Sequence, residues 1–183
     1  MSLLKKPPTE EERQLVHYMF LSISTTDLTA WSSKRRRRPE NSVLMKDTTL
    51  QTVITCHPED GSVYNKIFGG FVMRKAHELA STTASVFSRG HVGLCRSIDD
   101  VVFLRSVDIG DELHLQAMVV YTNGSDVQVY VRVEKINPEL NTYEMTNDFH
   151  FIFSTVVDNL PSVMPSDYSE AMMYLRGRRH YEG

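Results

Sequence analysis

Apolar residues recur at every second position along three stretches in the second half of the chain. In residues 112–121 (ELHLQAMVVY) the set Leu113, Leu115, Ala117, Val119 and Tyr121 shares one face. In residues 127–136 the matching set is Val127, Val129, Val131 and Val133. In residues 143–155 it is Tyr143, Met145, Asn147, Phe149, Phe151 and Phe153. A period of two is what a strand with one buried face produces, so these stretches predict three consecutive antiparallel strands. Asn123–Gly124 between the first two is a hairpin signal, because both residues tolerate positive φ. A further strand, SIDDVVFLRS, precedes the turn-forming DIGDEL, and LQTVITCH, from Leu50, reads as a strand closed by HPEDGS.

Between that first strand and the others the period changes. After Gly69–Gly70 a long apolar segment rich in Ala, Ser and Thr runs to about Ser88, where Arg89–Gly90 closes it, and this predicts a helix. One long helix between a first strand and four antiparallel strands must lie against a face of their sheet. Ala76, Ala80, Thr83 and Ala84 are small enough to let its backbone lie close. The predicted fold class is α+β, a long central helix wrapped by a curled antiparallel sheet, the hotdog fold. Residues 8–22 predict a leading helix, with Thr9 and Glu12 as a capping box and Leu15 and Met19, with Val16 and Phe20, as its apolar stripe. Residues 25–42, polar and without period, predict a linker. PSDYSEAMMYLRGRR predicts a short closing helix, with Ser166 as its cap and Arg176 to Arg179 near its negative end. The organisation expected is a helix and linker over 1–46, the hotdog over 47–157 and a C-terminal extension over 158–183.

The chain has 183 residues, enough for one domain with extensions. Its formal net charge of −3 provides no broad basic field to draw it onto nucleic acid or membrane. The basic run from Lys34 to Arg38 has two readings, a localisation or phosphate-binding signal and a solvated linker. One short run beside Pro39 with little interleaved aromatic content favours the linker and speaks against nucleic-acid binding. Cys56 and Cys95 lie far apart without metal-ligand spacing, which points to a reducing interior and to no metal site. No apolar run approaches the roughly 20 residues of a membrane span. The opening MSLLKKPPTEEERQ carries no signal or transit pattern and reads as a chain cut or processed.

NKIFGGFVMRKAHELA followed by SIDDVVFLRSVDIGDEL resembles the hotdog acyl-CoA thioesterases, whose pattern is an IFGG-type glycine turn, a helix, an aspartate-containing strand and a VxxGD turn. The chain is most similar to the mitochondrial acyl-CoA thioesterase 9-like group, which carries two hotdog domains per chain. That likeness extends to SLLKKPPTEEERQLVHYMFLS, DFHFIF and MMYLRGRRHY. It implies the second, C-terminal hotdog of such a protein, hydrolysis of fatty acyl-CoA with water and no cofactor, and a mitochondrial matrix location. The implied partners are the acyl-CoA substrate, the N-terminal hotdog of the full-length protein and further copies of the same chain.

Within that resemblance Gly69 and Gly70 would offer backbone N–H donors to a thioester oxyanion at a helix N-terminus. The glycines also permit a tight strand-to-helix turn. The family's catalytic acid falls ten positions after Ile67, where this chain has His77, with Glu78 one step later and about 100° further round the helix. His77 is a candidate general base or a partnered structural residue. Asn65 stands where two-domain members place an asparagine that orients water, and is also a residue suited to unusual turn angles. The catalytic candidates are thus Asn65, Gly69, Gly70, His77 and Glu78. Those for binding CoA are Lys66, Phe71, Arg96, Gly124 and Ser125, with Arg105 as a weaker one. Asp99 and Asp100 would brace the acyl tunnel, and Phe71 and Met73 would set its depth together with the partner. A competing reading makes the chain a degenerate hotdog that scaffolds or regulates its partner by binding CoA esters.

Overall fold

The computed structural model of the chain describes residues 8–24, 40–62 and 64–182; the basic run from Lys34 to Arg38 and the side chain of Asp100 lie outside the described residues. Helix α1 (Glu10–Ser24) begins with the reciprocal cap its sequence predicts. The Thr9 N–H donates to Glu12 Oε2 at 2.7 Å, and the Glu12 N–H donates to Thr9 Oγ1 at 3.3 Å. Strand β1 (Ser42–Leu44) leads through a single 3-10 turn to β2 (Leu50–Thr55).

Helix α2 (Gly69–Phe87) follows, then β3 (Val92–Phe103), β4 (Glu112–Asn123), β5 (Asp126–Asn137) and β6 (Thr142–Thr155). Those strands and β2 make one five-stranded sheet in the order β2-β4-β5-β6-β3, with every neighbouring pair antiparallel. Helix α2 lies along its inner face. There Ala76, Ala80, Thr83 and Ala84 are buried against Leu113, Leu115, Ala117, Val119, the four alternating valines of β5 and Phe149, Phe151 and Phe153. Each large side chain buried in this layer contributes roughly 1.5–3 kcal/mol. The small residues of α2 let the helix come close enough for that layer to close. This is the hotdog architecture expected from the pattern.

Two bulges change which residues the alternation buries. In β4 the register slips between Val119 and Tyr121, so Val120 is buried beside Val119. Tyr121 turns to the outer face, its ring 5.4 Å from that of Tyr174 and 5.5 Å from that of Tyr181. In β6, Val133 pairs with Asn147 while Glu134 pairs with Met145, leaving Thr146 opposite neither. One extra residue resets a period of two. Tyr143 and Met145 therefore leave the face they share on paper with Phe149, and Tyr143 is 55% exposed, its ring 5.6 Å from that of His114. The hairpin also differs in detail. Asn123 still pairs with Asp126, so the turn is Gly124–Ser125 and the positive φ, 59°, falls on Gly124 and not on Asn123.

The C-terminal segment covers the sheet's outer face. Strand β7 (Ser162–Met164) runs parallel to β1, a pair of three-residue strands too short to leave a periodic signal. Helix α3 (Tyr168–Glu182) has 15 residues and buries Ala171, Leu175 and Gly177. A Cβ on Gly177 would stand 2.9 Å from a Val120 methyl and 3.1 Å from Gln128 Oε1, so glycine sets how closely α3 approaches β4 and β5. The cap is Asp167 and not Ser166. Asp167 Oδ1 accepts the Glu170 N–H at 2.8 Å, and the Glu170 carboxylate takes the N–H and hydroxyl of Ser166 at 2.6 and 2.8 Å.

Candidate functional site

The segment ahead of α2 is pinned to the turn that joins β3 and β4. Gly61 bridges to Ile67 and Lys66 to Asp108, and the Ile67 N–H donates to Val107 O at 2.8 Å. Asn65 takes a φ of 62°, a left-handed conformation that asparagine tolerates better than most residues. Its carbonyl accepts the Ile109 N–H at 3.4 Å while its side chain is exposed. The turn reading of Asn65 is thereby accounted for, and its amide still faces solvent.

The chain reaches α2 through Phe68, which offers no side-chain cap. Phe68 O accepts from Phe71 and Val72 at 2.9 and 3.4 Å. The N–H groups of Gly69 and Gly70 donate to no acceptor among the described residues. They form an unsatisfied donor pair at the positive end of a 19-residue helix. The two glycines are not equivalent. A Cβ on Gly69 would sit 2.6 Å from the Phe103 ring, whereas one on Gly70 would meet nothing within 4 Å. Gly69 thus lets an aromatic ring lie against the helix start, and Gly70 leaves the donors open to an incoming group. Beside them runs an open groove of about 450 Å³ whose apolar walls are Ile67, Val72, Phe103, Leu104 and Val107, with Arg105 and Ser106 also in its lining.

His77 lies two turns further along α2, about 12 Å from Gly69 along the axis. Its ring is half-buried, edge-on to Phe151 at 5.6 Å and tilted to Phe153 at 5.7 Å. Glu78, the other acid-base candidate on α2, lies on the exposed side, where Lys75 Nζ is 3.0 Å and Arg74 Nε 4.0 Å from its carboxylate. That is the direction its 100° offset from position 77 dictates. Asp99 is directly cross-strand from His150, which turns it to the outer face of the sheet and away from α2.

The residues named for CoA fall into two groups. Lys66 and Phe71 flank the glycine turn. Lys66 is ion-paired with Asp108 and donates to Ser106 Oγ at 3.4 Å. Phe71 carries Arg74 and Lys75 over its ring at 5.7 and 6.0 Å. These two cations beside an aromatic escaped the sequence reading, although their spacing of three and four residues from Phe71 on a helix is a usable signal. Arg96, Gly124 and Ser125 gather at the other end of the sheet. There Arg96 Nη1 is 2.7 Å from the buried Asp126, and Ser125 O accepts both the N–H and the hydroxyl of Thr155. Arg105, in contrast, lines the glycine-turn groove itself and is held by Glu144 at 2.8 Å.

Neither cysteine is set up as a nucleophile. Burial, with Asp111 and Asp60 nearby, pushes the Cys56 thiol up to about 11, and burial raises Cys95 as well, so both keep their protons. Among the described residues no three of His, Cys, Asp or Glu are grouped as a metal site would require. What the arrangement offers chemically is two backbone donors at a helix terminus beside an apolar groove, with Arg105 in its lining and Lys66 hydrogen-bonded to the lining Ser106.

No family model matches the chain. It is 41% identical over 183 residues to mouse acyl-coenzyme A thioesterase 10, mitochondrial, and 40% identical over 180 residues to human acyl-coenzyme A thioesterase 9, mitochondrial. These matches cover 99% and 98% of this chain but 40% of each relative, so the chain spans about two-fifths of their length. A Staphylococcus aureus acyl-CoA hydrolase, solved with butyryl coenzyme A and coenzyme A, superposes with a TM-score of 0.73 at 25% identity, over 77% of this chain and 88% of that one. A hexameric acyl-CoA thioesterase superposes with a TM-score of 0.72 at 26% identity, over 78% and 94%.

Proposed function

We propose that the chain is a hotdog acyl-CoA thioesterase of the kind represented by the mitochondrial thioesterases 9 and 10, and that it supplies half of an acyl-CoA hydrolysing site. The observation that carries this reading is the unsatisfied donor pair at Gly69 and Gly70, set beside the apolar groove. A thioester carbonyl lying there gains negative charge on its oxygen as water adds to the carbon. Donors aimed at that oxygen are worth roughly 3–4 kcal/mol at the transition state. The C–S bond then breaks, releasing a carboxylic acid and the CoA thiol. The acyl chain lies along Val72 and Phe103. Lys66, Arg74 and Lys75 meet the CoA phosphates at the rim.

A base is needed to take the proton of the attacking water, and in this proposal it is a carboxylate on the partner hotdog, with Asn65 orienting the water. Support comes from α2 itself, where His77 packs on two phenylalanines and Glu78 is engaged with Arg74 and Lys75 on the exposed side. The chain corresponds to one hotdog, the second, of a two-hotdog mitochondrial enzyme. The edge strand β3 is where the partner adds. Leu94, Ile98, Val101 and Phe103 are exposed along it, with Leu94 81% accessible, an apolar edge that soluble proteins normally cover. A clean monomer in sedimentation at micromolar concentration would remove this packing.

The second reading, a hotdog that binds CoA esters without turning them over, is favoured by the same His77 and Glu78 geometry. Thiol release from acetyl- to palmitoyl-CoA, run beside direct binding of CoA, separates the two. Turnover that Asn65→Ala abolishes means that copies of this chain build a working site. Binding without turnover selects the second reading. No binding and no turnover, alone or with the partner hotdog added, sinks both.

A further inference from the structure

A second pocket lies on the opposite side of the sheet from α2, between α3 and the outer face of β4, β5 and β6. Two cross-strand rows form its floor. Gln116 and Arg132 make one, with Asp148 next in register beyond the lining, and Met118, Tyr130 and His150 make the other. Met173 and Arg176 of α3 form the roof over a volume of about 110 Å³. None of these residues belongs to the glycine-turn groove.

The polar groups here are unevenly matched. Arg176 Nη2 donates to Asp148 Oδ2 at 2.9 Å, and its guanidinium lies over the Tyr130 ring at 5.7 Å, but its Nε–H has no acceptor among the described residues. His150 is 1% exposed and stacks on His180 with ring centroids 4.3 Å apart. Gln128 Nε2 lies 3.4 Å from His150 Nδ1, and a neutral ring that accepts there carries its proton on Nε2. That Nε2 also has no partner among the described residues. Burial, with Arg176 and His180 close by, holds the His150 ring well below the usual histidine range and so neutral. Burial pushes the Tyr130 hydroxyl up to about 12, so it too keeps its proton. Arg132, paired with Glu134 at 2.6 Å, adds a cation at the wall.

The unpartnered atoms on the residues that line the pocket are therefore His150 Nε2 and Arg176 Nε, and the unmatched acceptor next to His150 is Gln128 Oε1. A water molecule brings two donors of its own and suits such a site poorly, whereas a species that only accepts suits it well. The volume takes a few heavy atoms, and the thioethers of Met118 and Met173 give it an apolar, polarisable side. We propose that this pocket binds a small oxyanion, a carboxylate or a phosphate, on His150 Nε2, Arg176 Nε and the Tyr130 hydroxyl. Because Arg176 and Arg132 are each offset by a carboxylate, recognition rests on directed donors and not on net charge.

The test is thermal unfolding of the 183-residue chain in sodium acetate, inorganic phosphate and sodium chloride at matched ionic strength and pH 7.5, repeated on Tyr130→Phe and His150→Phe. Tyr130→Phe removes one oxygen and keeps the ring under Arg176. The expected result is a saturable rise in melting temperature with acetate or phosphate beyond that in chloride, with the midpoint concentration about tenfold higher in each variant. A rise with acetate alone assigns the pocket to carboxylates, and one with phosphate alone to phosphate groups. If neither exceeds chloride, or if the rise persists unweakened in both variants, the pocket holds water and the proposal is overturned.

Discussion

Arg179 grips Glu12 through two parallel hydrogen bonds, Nε to Oε1 at 2.7 Å and Nη2 to Oε2 at 2.6 Å, joining α1 to α3 across 167 positions of sequence. The acid sits in the first turn of α1 and the base in the last turn of α3, so each also complements its own helix dipole. Both side chains are largely covered, with 15% and 16% of their surface accessible. Arg179→Ala should therefore cost roughly 1.5–3 kcal/mol of α1 docking, the worth of hydrogen bonds to a charged group, and leave the sheet intact. Faster proteolysis or amide exchange confined to residues 10–24 is the expected reading. The Arg179 hydrogen bonds lower the Glu12 carboxyl from 4.5 to about 2. A depressed carboxyl stabilises the docked state above its unfolded pKa and loses that contribution as pH falls through the folded one. Docking of α1 should weaken between about pH 4.5 and 2, and Glu12→Gln should abolish that dependence.

The two glycines of the helix start should respond oppositely to alanine. At Gly69 a methyl drives the Phe103 ring out of the groove it lines, at a cost of roughly 1 kcal/mol or more. Gly70→Ala meets open space and should be neutral or slightly stabilising, since alanine is the better helix former. Urea unfolding of both variants checks the contrast. Equal effects would mean that Phe103 moves freely and does not set the shape of the groove.

The fold was largely legible because a period of two and a period near 3.6 are direct consequences of which face is buried. The strands from Leu113 and Val127 and the small-residue face of α2 appear where that logic puts them. It failed at Thr146, where one unpaired residue exchanges faces for Tyr143 and Met145, and at Val120 and Tyr121, where both faces of the sheet are covered. A covered outer face cannot be read from alternation, because it depends on α3 folding back, which the Gly177 contact permits and no local pattern announces. The candidate site was legible in part. The glycine turn stands out by composition, but which of its two glycines is crowded depends on Phe103, more than thirty residues later. Arg96 and Ser125 were grouped with Lys66 by chemistry alone, and the strand length between them separates the groups.

His150 should make stability depend on pH in the mildly acidic range. Its folded form resists protonation, while in the unfolded chain a histidine takes its proton around pH 6.5. Below that pH the unfolded state binds more protons, so the contribution is intact above about 6.5 and is lost as pH falls. One unit below it, the loss reaches about 1.4 kcal/mol. His150→Phe keeps the stack on His180 and removes the titrating group. Its urea midpoint should change less between pH 7.5 and 5.5 than that of the parent chain. Equal slopes would mean that the ring is solvated enough to titrate normally.

Gly177→Ala opposes two effects of known sign. Inside an exposed helix the change would stabilise by up to about 1 kcal/mol. Here the added methyl lands 2.9 Å from Val120, 3.1 Å from Gln128 and 3.3 Å from Tyr121, inside a layer packed on both sides. Val120 is fully buried and Gln128 is held by His150, so neither can withdraw cheaply. Overpacking of this kind costs roughly 1–3 kcal/mol and should outweigh the gain in propensity. The expected result is a lower melting temperature and looser packing of α3, seen as faster amide exchange in residues 168–182, with α2 and the glycine turn unaffected. A rise in stability would show that α3 rides on the sheet with slack, and that its approach is set by the tyrosine contacts at Tyr121, Tyr174 and Tyr181 and not by the glycine.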